Sequence, residues 1–128
     1  MAQEGQVQSR IIEEEEEKVI ICHSVESFNE QLQKGIQSKK LIVVEFTASW
    51  CPPCRFIAPI VNEMAKKLPG VIFLKVNKSY LQSVAEDWDV KAMQTFVLLK
   101  ESRFLERILG ANKIEELQMA IAKHATPP

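Results

Sequence analysis

The sequence predicts an α/β domain with a central five-stranded mixed sheet flanked by four helices. Three observations carry this. Strand-length apolar runs alternate with stretches of helical periodicity, in the order βαβαβαββα. The run Leu41–Thr47 is almost unbroken, the pattern of a central strand covered on both faces. The chain then places two strands in succession before its last helix, and a hairpin there makes an otherwise parallel sheet mixed.

Each element has a local reason. Residues 18–22 form a short strand, and Ser24 is placed to cap a helix over 25–34 with Val25, Phe28 and Leu32 on its apolar face. After Leu41–Thr47, a helix over 53–67 carries Phe56, Ile57, Ile60, Val61 and Met64. Pro59 inside it cannot donate to the carbonyl of Arg55, which predicts a kink. The Pro69-Gly70 turn leads into a strand over 71–76, and Ser79 is placed to cap a helix over 81–88. Thr95–Lys100 and residues 104–109 read as a hairpin joined by Glu101-Ser102-Arg103. Asn112 and Glu115 have capping-box spacing at the start of a helix over 113–123.

Composition bounds the function. The 128 residues hold one ordinary domain, and 46% hydrophobic with 26% charged residues is a soluble globular balance. A net charge of −1 argues against a nucleic-acid surface, and no apolar run approaches a membrane span. Residues 1–17, with six glutamates and one arginine, read as an acidic flexible arm ahead of a domain over 18–126, and the last four residues are expected to fray. No secretory signal is evident, and Ala2 stands where myristoylation needs a glycine, so a cytoplasmic location is expected. The Asn77-Lys78-Ser79 glycosylation match then carries no weight. Three cysteines are too few for a disulfide-stapled scaffold, so a C-x-x-C pair points to redox or metal chemistry.

That pair lies in Trp50-Cys51-Pro52-Pro53-Cys54, where the central strand hands over to a helix. A helix start offers unpaired N–H groups and partial positive charge, so a thiol there ionises readily and becomes a nucleophile. Pro52 and Pro53 have no N–H, which leaves the donors to Cys54 and beyond. A second thiol one turn on is positioned to close a disulfide with the first.

The stretch 46–55, Ile57-Ala58-Pro59, Phe73-Leu74-Lys75-Val76, Val84-Ala85-Glu86, Val90-Lys91-Ala92-Met93, Thr95-Phe96 and Gly110-Ala111 together resemble the thioredoxin family, and within it the plant cytosolic h-type members, over residues 18–126. The resemblance implies a thioredoxin fold and a protein-disulfide reductase. Cys51 would be the exposed attacking thiolate and the more buried Cys54 the resolving thiol. Glu45, where the family usually has aspartate, would be the buried acid that moves the proton of Cys54, accompanied by Lys75. The other reading of Glu45 is an edge-facing strand residue. Trp50, Pro52, Met93, Gln94, Leu109 and Gly110 map to the surface that holds the target, although Leu109 also fits ordinary packing. Pro53 and Pro59 shape the helix, and Cys22 reads as a quiet core thiol. The couple is the protein's own Cys51–Cys54 pair, with no bound cofactor and no resident metal. By family analogy, electrons come from NADPH through thioredoxin reductase. The expected partners are that reductase and disulfide-containing proteins, with no nucleic acid or membrane, and the expected state is a monomer.

Gln94 is the main departure, because the family has a cis-proline there. A cis bond before a non-proline residue costs roughly 3 kcal/mol, so the Met93–Gln94 bond is expected to be trans, with weaker target binding. Lys78 brings charge near the docking surface, Ser79 and Tyr80 replace the usual acidic residues, and Ser102 replaces a turn glycine. Two rivals follow: a low-activity partner-binding module on the same fold, and a dimer bridged by a metal or cluster. One C-x-x-C supplies two thiolates, so four-coordinate zinc requires a second chain or distant ligands. Cys22 and His23, adjacent in a strand, point to opposite faces and do not chelate together.

Overall fold

A computed structural model describes residues 18–125. The acidic arm over 1–17 and residues 126–128 lie outside them. The element order is β1 (Val19–Cys22), α1 (Val25–Ser38), β2 (Leu41–Thr47), α2 (Pro52–Lys67), β3 (Val71–Asn77), α3 (Gln82–Asp87), β4 (Thr95–Lys100), β5 (Arg103–Leu109) and α4 (Ile114–His124). The sheet order is β1-β3-β2-β4-β5. β1 and β2 run parallel to β3, while β4 is antiparallel to both β2 and β5.

All seven residues of β2 are buried because helices cover both sides of it. On one side Leu41 and Val43 pack with Ile57, Val61 and Met64 of α2 and Leu117, Ala120 and Ile121 of α4. On the other, Ile42, Val44 and Phe46 pack with Phe28 of α1 and Val84 and Ala85 of α3. Trp88 closes that second side, its ring 5.5 Å from Phe28 and 5.8 Å from Phe46. The strand's alternation puts Glu45 on the first side, in line with Leu41 and Val43.

Several local expectations are corrected. α1 runs on through Gly35 to Ser38, and Lys39 in the left-handed region (φ 64) ends it. Gly35 lets the helix settle on the sheet, since a Cβ there would stand 2.8 Å from Ile42 Cδ1. Ser24 does cap the helix, accepting the Ser27 N–H, but Val25 is exposed, as is Phe56 of α2. Ser79 does not cap α3. Its hydroxyl accepts the Ser49 N–H at 3.1 Å, and the helix starts later, behind Leu81. α4 also begins one residue late, with Lys113 at the cap and no side-chain cap bond, so the Asn112/Glu115 box is not formed. The β4–β5 turn is tighter than expected, and its left-handed residue is Glu101 (φ 55) rather than Ser102. Leu41–Thr47 and Thr95–Lys100 have the expected bounds, and the other three strands differ from expectation by a single residue.

Candidate active site

β2 ends at Thr47, and the connection to α2 is held from β3. The Lys78 N–H donates to Thr47 O at 2.8 Å, and Asn77 Nδ2 donates to Ser49 Oγ at 3.1 Å. This delivers Cys51 to the N-cap of α2, with Pro52 and Pro53 in the first turn, where an N–H would have had no partner. Cys51 and Cys54 are joined by a disulfide, their Cα atoms 5.2 Å apart. The Cys54 N–H points at Cys51 Sγ at 3.2 Å. That donor and the helix terminus favour a thiolate on Cys51 once the bond is reduced.

Cys51 is not exposed in this oxidised state. It is 1% accessible and Cys54 4%. The Cys51 side chain turns inward to its bond and to the Cys54 amide, while Trp50, Pro52 and Pro53 take the solvent side. Cys54 Sγ lies 3.6 Å from Met93 O. A disulfide sulfur has no proton, so this contact becomes a hydrogen bond only in the dithiol.

All peptide bonds among the described residues are trans, Met93–Gln94 included. Gln94 O accepts the Gly110 N–H at 2.8 Å, which ties the segment before β4 to the end of β5. Gly110 sits at φ 106, a conformation that excludes an ordinary side chain. Trp50, Met93 and Leu109 are all exposed. Arg55 lies over the Trp50 ring at 5.5 Å. Pro59 is exposed on a helix that runs through it to Lys67.

Glu45 is buried at 2% accessibility on the central strand, so the edge-facing reading is excluded. Burial pushes its carboxyl above the usual range. The charge of Lys75, its register partner on β3, and a hydrogen bond from Gln94 oppose that rise. Gln94 Nε2 donates to Glu45 Oε2 at 2.8 Å. Sequence reasoning placed Gln94 on the surface that holds the target and missed this bond, because a contact across 49 positions has no local signal. It also gave Lys78 a role toward partners. In the fold its ammonium donates to Ala92 O at 2.8 Å and approaches Lys91 O at 3.4 Å, and so anchors the loop that presents Met93. Cys22 is free and buried on the opposite side of the sheet, where burial pushes its thiol up to about 11. His23 faces solvent. Among the described residues no group of three or more His, Cys, Asp or Glu side chains gathers where a metal would sit, and no helix is long and apolar enough to cross a membrane.

The Thioredoxin family model matches residues 19–123. Thioredoxin H1 of Arabidopsis thaliana is 60% identical over 110 residues, covering 86% of this chain and 96% of the relative. Thioredoxin H-type 1 of Nicotiana tabacum is 56% identical, covering 88% and 89%. The crystal structure of thioredoxin NaTrxh from Nicotiana alata superposes with a TM-score of 0.81 at 40% identity, covering 85% and 94%. A matched family model over nearly the whole domain, relatives of this identity and a bonded cysteine pair at a helix start agree: the chain belongs to the thioredoxin family, is most similar to plant h-type members, and is a thiol–disulfide oxidoreductase of the protein-disulfide-reductase kind.

Proposed function

We propose that Cys51 attacks the target disulfide, Cys54 resolves the mixed disulfide, and Glu45 takes the proton that Cys54 must lose. In the dithiol state the Cys51 thiolate attacks one sulfur of the target, forming an intermolecular disulfide and releasing the first target thiolate. Cys54 then transfers its proton to Glu45, and its sulfur attacks Cys51 Sγ. The intermolecular bond breaks, the second target thiolate leaves, and the Cys51–Cys54 disulfide seen here is the product. Two electrons have passed to the target.

The observation that carries this reading is the Cys54 N–H directed at Cys51 Sγ at the helix N-cap, which favours one sulfur of the pair as the anion. Trp50, Pro52, Met93, Leu109 and Gly110 form the surface on which the target segment lies, with Lys75 as the counter-charge to Glu45. Restoration of the dithiol draws on NADPH through a thioredoxin reductase, as in the family. A monomer in the cytoplasm is the working state.

Reduction of a protein disulfide, driven by a small dithiol reductant, tests the roles. Cys51→Ser is expected to lose turnover entirely. Cys54→Ser is expected to accumulate a mixed disulfide through Cys51, visible by mass spectrometry. A mixed disulfide that instead forms through Cys54 in Cys51→Ser, with none in Cys54→Ser, reverses the assignment.

A further inference from the structure

Gln94 is as deeply buried as Glu45, at 2% accessibility, although glutamine is an unusual residue to enclose. One pair of atoms between them is matched, Nε2 to Oε2 at 2.8 Å. Glu45 Oε1 and Gln94 Oε1 are both buried without a partner, as is the neighbouring Thr95 Oγ1. Enclosed acceptors left unmatched are costly, so their placement calls for an explanation. A primary amide has two faces. Its N–H₂ serves an ionised carboxylate, and after a half-turn its carbonyl accepts the O–H of a protonated one. The family's proline offers neither.

The segment that carries Gln94 reaches the reacting sulfurs. Cys54 Sγ lies 3.6 Å from the carbonyl of Met93, the residue before Gln94. Lys75 on β3 is the cation acting on Glu45. The β4 register partner of Glu45 is the uncharged Phe96. α4 meets this side of the sheet with Leu117, Ala120 and Ile121, and α2 with Ile57, Val61 and Met64. Cys51 and Cys54 stand at the N-cap and in the first turn of α2 and titrate once reduced, while His124 of α4 and Glu106 of β5 are paired with each other at 2.6 Å.

We infer that Gln94 is a positioning residue of the proton relay, its amide serving Glu45 in both charge states, by donation to the carboxylate and, turned over, by acceptance from the acid. The inference rests on Glu45 as the proton acceptor for Cys54. N–H···O⁻ is the stronger of the two bonds, so the amide favours the ionised form that is ready to take the proton. The proton moves only between Cys54 Sγ and the Glu45 carboxyl, and Gln94 gains and loses none.

Side-chain carboxyl ¹³C NMR of the reduced full chain follows the Glu45 titration directly. In Gln94→Met, close in size but without donor or acceptor, the Glu45 midpoint is expected to rise. The rate of mixed-disulfide resolution at neutral pH is expected to fall about fivefold, and its pH profile to move upward in step. In a Glu45→Gln background the same substitution should leave the pH profile unmoved. An unchanged Glu45 midpoint in folded Gln94→Met overturns the inference. Should that variant not fold, the Gln94 side-chain N–H₂ resonances of the native protein must follow the Glu45 midpoint, and resonances indifferent to it overturn the inference equally. A resolution rate and pH profile unaltered by Glu45→Gln alone would instead remove Glu45 from the reaction. That failure is kinetic and separate from the titration.

Discussion

Three buried side chains with reactive or titratable chemistry end in different roles because their neighbours differ. Cys51 has the N–H of Cys54 and a helix terminus, which favour charge. Cys22 stands in register with Val76 and belongs to the apolar cluster of Phe28, Phe46 and Leu81, which disfavours charge and holds its thiol neutral at ordinary pH. Cys22→Ser is therefore expected to leave disulfide reduction unchanged and to lower stability by about 1–3 kcal/mol, because a hydroxyl replaces a small apolar group, and urea unfolding reads this directly. Glu45 of β2 and Gln94, just ahead of β4, are matched to each other. Gln94→Pro is expected to raise kcat/KM for a protein disulfide, since that constant reports target capture by Cys51 beside a re-formed Met93 backbone. Equal values for the two proteins would show that the trans Met93–Gln94 bond is no handicap.

At the scale of elements, the site is assembled from the ends of strands and the connections after them. β2 supplies Glu45, the β2–α2 connection supplies Trp50, and the segment before β4 supplies Met93 and Gln94. Side chains from the end of β3 and the connection after it hold these together. Asn77 and Ser79 fix the chain at Ser49, while Lys78 fixes it at Ala92. Lys78→Met is expected to cost under about 1 kcal/mol of stability, since the ammonium is partly solvated, yet to raise KM for protein targets several-fold by loosening the Met93 loop. Steady-state kinetics with unfolding midpoints separates the two effects, and a KM unchanged beside lower stability would make Lys78 a structural tie alone. Arg107 of β5 plays a similar part, with Nη2 2.8 Å from Trp88 O and Nη1 3.0 Å from Asp89 O at the end of α3.

For the whole molecule, the acid proposed to take the Cys54 proton sits in the sheet that holds the fold together, so its titration appears in global stability. The Glu45 pKa is raised above the ordinary 4.5 by burial, so the folded state binds that proton more tightly than the unfolded chain. Its favourable contribution is complete below the unfolded value and is lost as pH rises through the raised folded value. Glu45→Gln keeps the shape without the ionisation. The variant is expected to gain stability relative to the native chain as pH rises, with the difference closing toward acid, and urea midpoints across about pH 4 to 9 measure it. A constant difference across that range would mean that Glu45 titrates normally despite its burial.

What the sequence by itself determined is the part that local chemistry and periodicity carry. The strand–helix alternation, the apolar run of β2, and a C-x-x-C opening a helix establish the fold class and narrow the chemistry to redox or metal, because apolar period and helix-terminal charge are properties of short segments. Tertiary structure alone decided where the polar groups go. The capping roles of Ser79 and Asn112 looked sound locally but were lost: Ser79 found a partner across the fold at Ser49, and α4 began a residue later than the Asn112 spacing required. The enclosure of Cys51 and the bond from Gln94 to Glu45 were equally beyond the sequence. A buried donor must be matched with whatever acceptor the packing brings near, and that choice is made between segments, not within one.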